Sequence, residues 1–389
     1  MKDFGGKLAV ITGGGTGMGR ALARQLIAEG CDVAICDVLE ENMSETVALC
    51  ESEAPQGRVI TAHVCDVSNE EDVRQFADGV RSNHDTDKID LLFNNAGVGG
   101  GGSITDPERE SWERTFNICW YGVYFSTRAF MPLLMNSEDS HLINTSSVNG
   151  FWASLGPQST HSAYCAAKFA VKGFSEALVT DLKNNAPNVK VSVVMPGHIG
   201  TSIAINSGRI IAGRQSEELT DQEILQMRKR GVLRGIVSED MTDDQVRTVM
   251  SQVGTNFRDS APTTAEQAAT IILDGVRDER WRILVGDDAH LMDKMVREDP
   301  ESAYTEDFLV RLRSSGEGRL GELGQRRLVG YSAGFNPESC DRTFLLFPYR
   351  RRVVAMWSTN CVRASDGYRI HLPPILVDSG REFGWEPAG

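Results

Sequence analysis

Through the first two hundred residues, short β-branched runs alternate with longer stretches whose apolar side chains recur every three or four positions. Leu8 to Thr12 predicts a buried strand. Gly17 to Glu29 predicts a helix with Met18, Ala21, Leu22, Leu26 and Ile27 on its apolar face and Gly30 as its stop. Asp32 to Asp37 predicts a second strand and Glu40 to Glu53 a second helix. Further strands are expected over Arg58 to Val64, Asp90 to Phe93, His141 to Thr145 and Lys190 to Met195. Helices over 69–84, 107–136 and 163–186 separate them. Strand–helix alternation of this kind means parallel strands joined by right-handed crossovers. The expected fold is therefore α/β, a Rossmann-type doubly wound parallel sheet, with ligands bound beyond the carboxyl ends of its strands.

The pattern changes twice. Residues 198–262 are charged and helical in places, as over Asp221 to Arg230 and Thr242 to Val253, and are too long for a simple loop. They read as a lid over the ligand. Thr264 to Asp278 then predicts a helix that Thr263-Thr264-Ala265-Glu266 would cap, and Trp281 to Val285 a last strand. Beyond 312 the composition shifts: arginines continue, no lysine follows Lys294, and Gly and Pro are frequent. The expected division is a catalytic domain over 1–312, including the lid insertion, and a C-terminal tail over 313–389.

A length of 389 residues supports a large core plus an appendage. The net charge of -14 argues against nucleic acid or an anionic membrane as partner, since both want a basic face. No apolar run approaches bilayer-spanning length, and the N-terminus lacks a signal-peptide core, so a cytoplasmic location is expected. None of the eight cysteines forms a CxxC pair, and no Cys/His cluster has zinc-like spacing. Reduced thiols and no metal are expected.

Candidate chemistry begins at Thr12-Gly13-Gly14-Gly15-Thr16-Gly17-Met18-Gly19, between the first strand and the first helix. Glycines there let backbone approach a pyrophosphate, and the helix N-terminus supplies N–H groups and positive dipole. Asp37 ends the second strand, where a carboxylate accepts ribose hydroxyls and repels a 2′-phosphate. Thr16 and Val38 stand where a basic side chain would hold that phosphate, so NAD is expected over NADP. Tyr164 and Lys168 are four apart in a predicted helix and share a face. A free tyrosine is a poor base at neutral pH, and a nearby ammonium together with an oxidised nicotinamide favours its phenolate.

The chain resembles the short-chain dehydrogenase/reductase family, in its subgroup with a TGxxxGxG glycine motif, over residues 5–290. The resemblance is carried by Thr12 to Gly19, Asp66-Val67, Asn94-Asn95-Ala96-Gly97, Asn117, Ser146-Ser147-Val148-Asn149-Gly150, Tyr164 with Lys168, and Pro196-Gly197. It implies an oxidoreductase moving a hydride between NAD(H) and a secondary alcohol or ketone. It implies Tyr164 as general acid/base, Ser147 holding the substrate oxygen, and Lys168 binding the nicotinamide ribose and depressing the tyrosine pKa. Asn117 would position a relay water. Gly13, Gly15, Thr16, Gly17, Met18 and Gly19 would cradle the phosphates; Asp66 and Val67 would border the adenine. Asn95, Ala96 and Gly97 would line the cofactor, and Pro196, Gly197, Ile199 and Thr201 would surround the nicotinamide.

The interval from Ser147 to Tyr164 is longer than is usual in that family, which leaves Ser159 and Ser162 as alternative serines. Phe151, Trp152 and Leu155 in this interval either wall an apolar substrate pocket or pack against the lid. His198 either touches substrate or is a plain loop residue. A nucleotide-sugar epimerase or dehydratase is the competing enzyme, although its TGxxGxxG spacing is not matched; an NAD-binding redox sensor would not need all four catalytic candidates. The aromatic-rich helices carrying Asn117 and Tyr164 would, by the resemblance, pair across a two-fold axis into a dimer or tetramer.

Overall fold

The computed structural model describes residues 1–105, 109–154, 160–215, 218–233, 235–315, 346–349 and 352–355. Seven parallel strands form one sheet: β1 (Leu8–Thr12), β2 (Asp32–Asp37), β3 (Ile60–Val64), β4 (Leu91–Asn94), β5 (Ser140–Thr145), β6 (Val189–Pro196) and, further along the chain, β9 (Arg282–Val285). Their order is β3-β2-β1-β4-β5-β6-β9. Strand order reverses between β1 and β4, which opens a crevice at the carboxyl ends of those two strands. The short strands β7 (Ile199–Gly200) and β8 (Thr263–Thr264) pair parallel to each other outside the main sheet.

The helices are α1 (Gly17–Ala28), α2 (Glu40–Glu53), α3 (Glu70–Asn83), α4 (Glu110–Phe116), α5 (Gly122–Met135), α6 (Ser162–Asn185), α7 (Ile203–Ile211), α8 (Asp221–Leu233), α9 (Asp243–Asp259), α10 (Ala265–Arg277), α11 (Asp287–Glu298) and α12 (Glu306–Ser315). Side chains alternate across β1, and this builds two cores. Ala9 and Ile11 pack with Leu22, Leu26, Ile35 and Leu273 on the face covered by α1 and α10. Leu8 and Val10 pack with Phe76, Leu92, Phe130, Leu142 and Leu178 on the face covered by α3, α5 and α6. The central strands are buried along their whole length, as their unbroken apolar runs require, whereas edge strand β3 leaves Val64 60% exposed.

Three features differ from the sequence reading. The helix expected over 107–136 is interrupted by a π-helical turn at Asn117–Tyr121, in which the Asn117 carbonyl accepts from Gly122 N. Gly122 packs so tightly on Val67 that a Cβ there would lie 2.7 Å from Val67 Cγ2, so this register admits glycine only. Within the lid, α7 was not foreseen. Its buried residues are Asn206 and Ser207, so no apolar stripe announced an inward face. Finally, α11 and α12 follow the expected last strand. Ala289, Met292, Ala303, Phe308 and Leu312 form a third core with Val148 and Trp152.

That third core changes the reading of two segments. Trp152 is 4% exposed, and its Nε1 donates to the Ala303 carbonyl at 2.8 Å. Phe151 packs on the same cluster, so these aromatics meet the C-terminal helices rather than the lid. Leu155 and Ser159 lie outside the described residues. The boundary expected after residue 312 falls inside α12, where Leu312 is buried. The chain divides instead into two compact units, Met1–Leu328 and Val329–Gly389. In the second, β10 (Leu346–Tyr349) and β11 (Arg352–Ala355) pair antiparallel. No described helix is long and apolar enough to cross a membrane. Cys340 and Cys361 lie outside the described residues, and the six described cysteines are buried and free.

Candidate active site

The β1–β4 crevice collects most of the expected cofactor residues. Gly13, Thr16, Gly17 and Met18 line one wall, Asn95, Ala96 and Gly97 the floor, and Asp37, Asp66 and Val67 the far end. Close backbone contact explains the glycines. A Cβ on Gly19 would meet the Gly13 carbonyl oxygen at 2.0 Å, and Gly13 itself has φ +67° with Ala96 Cα 2.7 Å from where its Cβ would stand. Thr12 Oγ1 accepts from the backbone N–H of both Asn95 and Ala96 at 3.0 Å, and Asn95 Nδ2 donates to the carbonyls of Thr12 and Gly13. The two strand ends are thereby locked together beneath the crevice.

Asp37 accepts from Gly15 N and Leu39 N, each at 3.1 Å. Burial pushes its carboxyl above the usual range, and these backbone donors work against that rise. Gly15 is therefore a partner of Asp37 rather than a lining residue, since a Cβ there would press on Asp37 Oδ2 at 2.9 Å. Asp66 is engaged as well: its carboxylate binds Arg114 at 2.6 Å and accepts from Ser68. Although burial opposes it, pairing with Arg114 and Ser68 holds this carboxyl below the usual range. Arg114 was not foreseen, nor was Arg20, which donates to the Gly15 carbonyl and braces the glycine loop from α1. Neither stands inside a recognisable motif.

The catalytic candidates gather where β5 ends and α6 begins. Ser147 starts a short 3-10 turn and accepts from Asn149 N at 3.1 Å. Tyr164 stands beside Ser147 on the next element. Burial raises the tyrosine pKa, the neighbouring Cys119 adds to the rise, and the Ser147 contact lowers it. Lys168 is buried; its Nζ donates to the Thr145 carbonyl at 2.9 Å and lies 5.5 Å from the centre of the Tyr164 ring. Burial lowers the Lys168 pKa. Ser146 Oγ donates to the Lys168 carbonyl at 2.7 Å, and Gly150 leaves room for that contact, since its Cβ would stand 2.2 Å from Ser146 Oγ. Asn117 opens the π-helical turn beside α6. Inserted turns of this kind recur at functional sites.

The loop expected to surround the nicotinamide follows β6. Gly197 N donates to Val285, and Gly197 lies against Asp288, whose Oδ2 accepts from His198 N at 2.6 Å. Ile199 is buried in β7 and packs in the α1–α10 core, so its side chain belongs to the scaffold. Thr201 lines the crevice, 3.0 Å from where a Cβ on Gly17 would sit. His198 shares a hydrogen bond with the Phe257 carbonyl at 2.7 Å and stacks near that ring, so it faces α9 of the lid. Ser162 hydrogen-bonds Trp112 Nε1 at the start of α6. Among the described residues no three His, Cys, Asp or Glu side chains gather as a metal site.

The arrangement fits a dinucleotide on its own chemistry: a glycine-lined cradle at a helix N-terminus, a carboxylate at the end of β2, and Lys168 of the tyrosine–serine–lysine group 3.5 Å from where a Cβ on Gly97 would stand. Comparison with known proteins agrees. The sequence profile described as short chain dehydrogenase matches residues 7–210. An oxidoreductase named SadH from Mycobacterium tuberculosis is 38% identical over 207 residues, 53% of this chain and 72% of that protein. The mouse dehydrogenase/reductase SDR family member 11 is 31% identical over 206 residues, 52% of this chain and 77% of the relative. A solved short chain dehydrogenase/reductase from Burkholderia phymatum, in complex with NAD, aligns with TM-score 0.61 at 29% identity. That alignment covers 77% of this chain and 96% of the other. With its glycine cradle, its Ser147–Tyr164–Lys168 group and this matched span, the chain belongs to the short-chain dehydrogenase/reductase family of oxidoreductases.

Proposed function

We propose that this chain is an NAD-dependent dehydrogenase acting between a secondary alcohol and its ketone, with Tyr164 as general acid/base. The observation that carries the reading is Tyr164 standing beside Ser147, with buried Lys168 one helical turn further along the same face and 5.5 Å from the centre of the tyrosine ring. Bound nicotinamide would supply the carbon that takes or gives hydride. Tyr164 then hands its proton to a carbonyl oxygen held by Ser147, or takes the proton from a hydroxyl in the reverse direction. Lys168 supports the phenolate electrostatically, and Asn117 at the π-helical turn orients a relay water.

Preference for NAD rests on Asp37, whose carboxylate accepts ribose hydroxyls and opposes a 2′-phosphate. The NAD-bound relative from Burkholderia phymatum is consistent with this. Pairing into a dimer or tetramer is supported by Tyr121, Tyr124 and Phe169, large side chains between 37% and 42% exposed on α5, α6 and the turn before α5. The reading takes the catalytic unit to run through α12 and the chain beyond it to be dispensable for chemistry. A panel of alcohols graded in size, followed by NADH absorbance with NAD and NADP in parallel, tests it. Turnover of secondary alcohols with NAD is expected; no turnover with either cofactor in either direction would overturn it.

A further inference from the structure

Helix α7 turns one side into the dinucleotide crevice: Ile203, Asn206, Ser207 and Ile210, spaced by three, four and seven residues, all line it. Ser207 is committed, accepting from Gly99 N at 2.8 Å and donating to the Ile203 carbonyl at 2.6 Å. Asn206 is not. It is only 8% exposed, it faces the crevice, and its carboxamide makes no hydrogen bond among the described residues. Its backbone N–H is used, donating to Ser202 O at 2.9 Å. The amide opens onto the crevice with its hydrogen-bonding capacity uncommitted, so a ligand that fills the crevice is its available partner.

What that partner is follows from the surroundings. The wall formed by Gly13, Thr16 and Gly17 opens α1, whose first N–H groups attract an anion. Thr201, shortly before α7, touches Gly17 of that wall. Beyond α7, Gln215 Nε2 donates to the Val38 carbonyl at 2.8 Å, next to the ribose carboxylate Asp37. The lid segment therefore spans the crevice from the phosphate loop to the ribose end, with Asn206 between its two points of attachment.

We propose that Asn206 is a further cofactor-holding residue: its Nδ2 donates to the pyrophosphate of the bound dinucleotide, from the side opposite the α1 N-terminus. This rests on the dinucleotide reading above. A neutral amide suits the position, since it can donate to a phosphate oxygen without itself bringing a charge out of water.

Binding of NADH, and displacement of NADH by ADP and by adenosine, in the wild type, Asn206→Ala and Asn206→Asp tests the proposal. Asn206→Ala is expected to weaken NADH and ADP roughly tenfold, the scale of a lost hydrogen bond to a charged group, and to leave adenosine unchanged. Asn206→Asp, nearly identical in shape, is expected to weaken both further, because a carboxylate there opposes the phosphates. Asn206→Ala should melt like the wild type, since the amide has no internal partner to lose. Unchanged NADH and ADP binding in Asn206→Ala would overturn the proposal, as would an equal loss for adenosine. A wild type that binds neither NADH nor NADPH would instead overturn the dinucleotide reading, and this proposal with it.

Discussion

Lys168 Nζ donates to the Thr145 carbonyl at 2.9 Å, two residues before Ser147, which stands beside Tyr164. The end of β5 thus holds both partners of the tyrosine. Burial raises the Tyr164 pKa and lowers that of Lys168, in each case working against the charged form. Alcohol oxidation needs the phenolate, and its kcat/KM should climb with pH through the apparent tyrosine pKa. Lys168→Met removes the cation and should move that inflection to higher pH. Tyr164→Phe should lower turnover by about 10²-fold or more while keeping NADH binding. An inflection that stays put in Lys168→Met, or near-normal turnover in Tyr164→Phe, contradicts the assignment.

Cofactor choice turns on Asp37. Asp37→Ala removes an acceptor for ribose and the charge that opposes a 2′-phosphate; it also frees Gly15 N and Leu39 N. The ratio of kcat/KM for NAD to that for NADP should fall by about tenfold or more. A wild type that prefers NADP would reverse the expectation.

Stability should carry the mark of His141. It is 1% exposed in β5, hydrogen-bonded to Ser192, and burial lowers its pKa from 6.5 to about 4. Above pH 6.5 neither the folded nor the unfolded chain protonates this ring. As pH falls from there towards 4 the unfolded chain gains a proton that the native state refuses, and stability is lost, by up to about 3 kcal/mol. Urea denaturation between pH 7 and 4.5, compared for wild type and His141→Leu, isolates this residue. The variant should lose less stability over that interval; parallel curves would mean that His141 titrates normally.

The C-terminal helices give a sharp pair of truncations. A chain ending at Leu328 keeps α12 and should retain kcat/KM. A chain ending at Glu298 removes Phe308 and Leu312 from the third core and the Ala303 carbonyl from Trp152, exposing Trp152 and Met292. Losing two such buried side chains costs about 3–6 kcal/mol by transfer alone. Melting temperature reads the difference, and equal stability of the two truncations would mean that the third core is idle.

Much of the scaffold was legible in the sequence because the central strands are buried on both faces. Runs such as Leu8 to Thr12 and Asp32 to Asp37 then coincide with β1 and β2 to the residue. The glycine loop was legible too, since backbone crowding at Gly13 and Gly19 excludes side chains. Contacts made by individual polar residues were not. Arg114 reaches Asp66 across 48 residues and Asn206 faces the crevice from a helix without an apolar stripe, so neither leaves a local pattern. Spacing left His198 open between a substrate contact and a plain loop residue, because its partner Phe257 lies 59 residues later. Trp152 was misread for the same reason: its partners in α11 and α12 lie far along the chain.

The Trp152–Ala303 bond joins residues 151 positions apart, and Ala153 N reaches the hydroxyl of Tyr304 across the same interval. During synthesis, the loop that follows Ser147 therefore emerges long before the segment that covers it. Glycine crevice and sheet can assemble early from neighbouring elements, but the shelter over Trp152 waits for a distant part of the polypeptide, with loop closure to overcome first. A nascent chain should thus acquire dinucleotide affinity before it acquires a finished serine loop, and Trp152 should stay accessible to a growing chain's chaperones until that late docking.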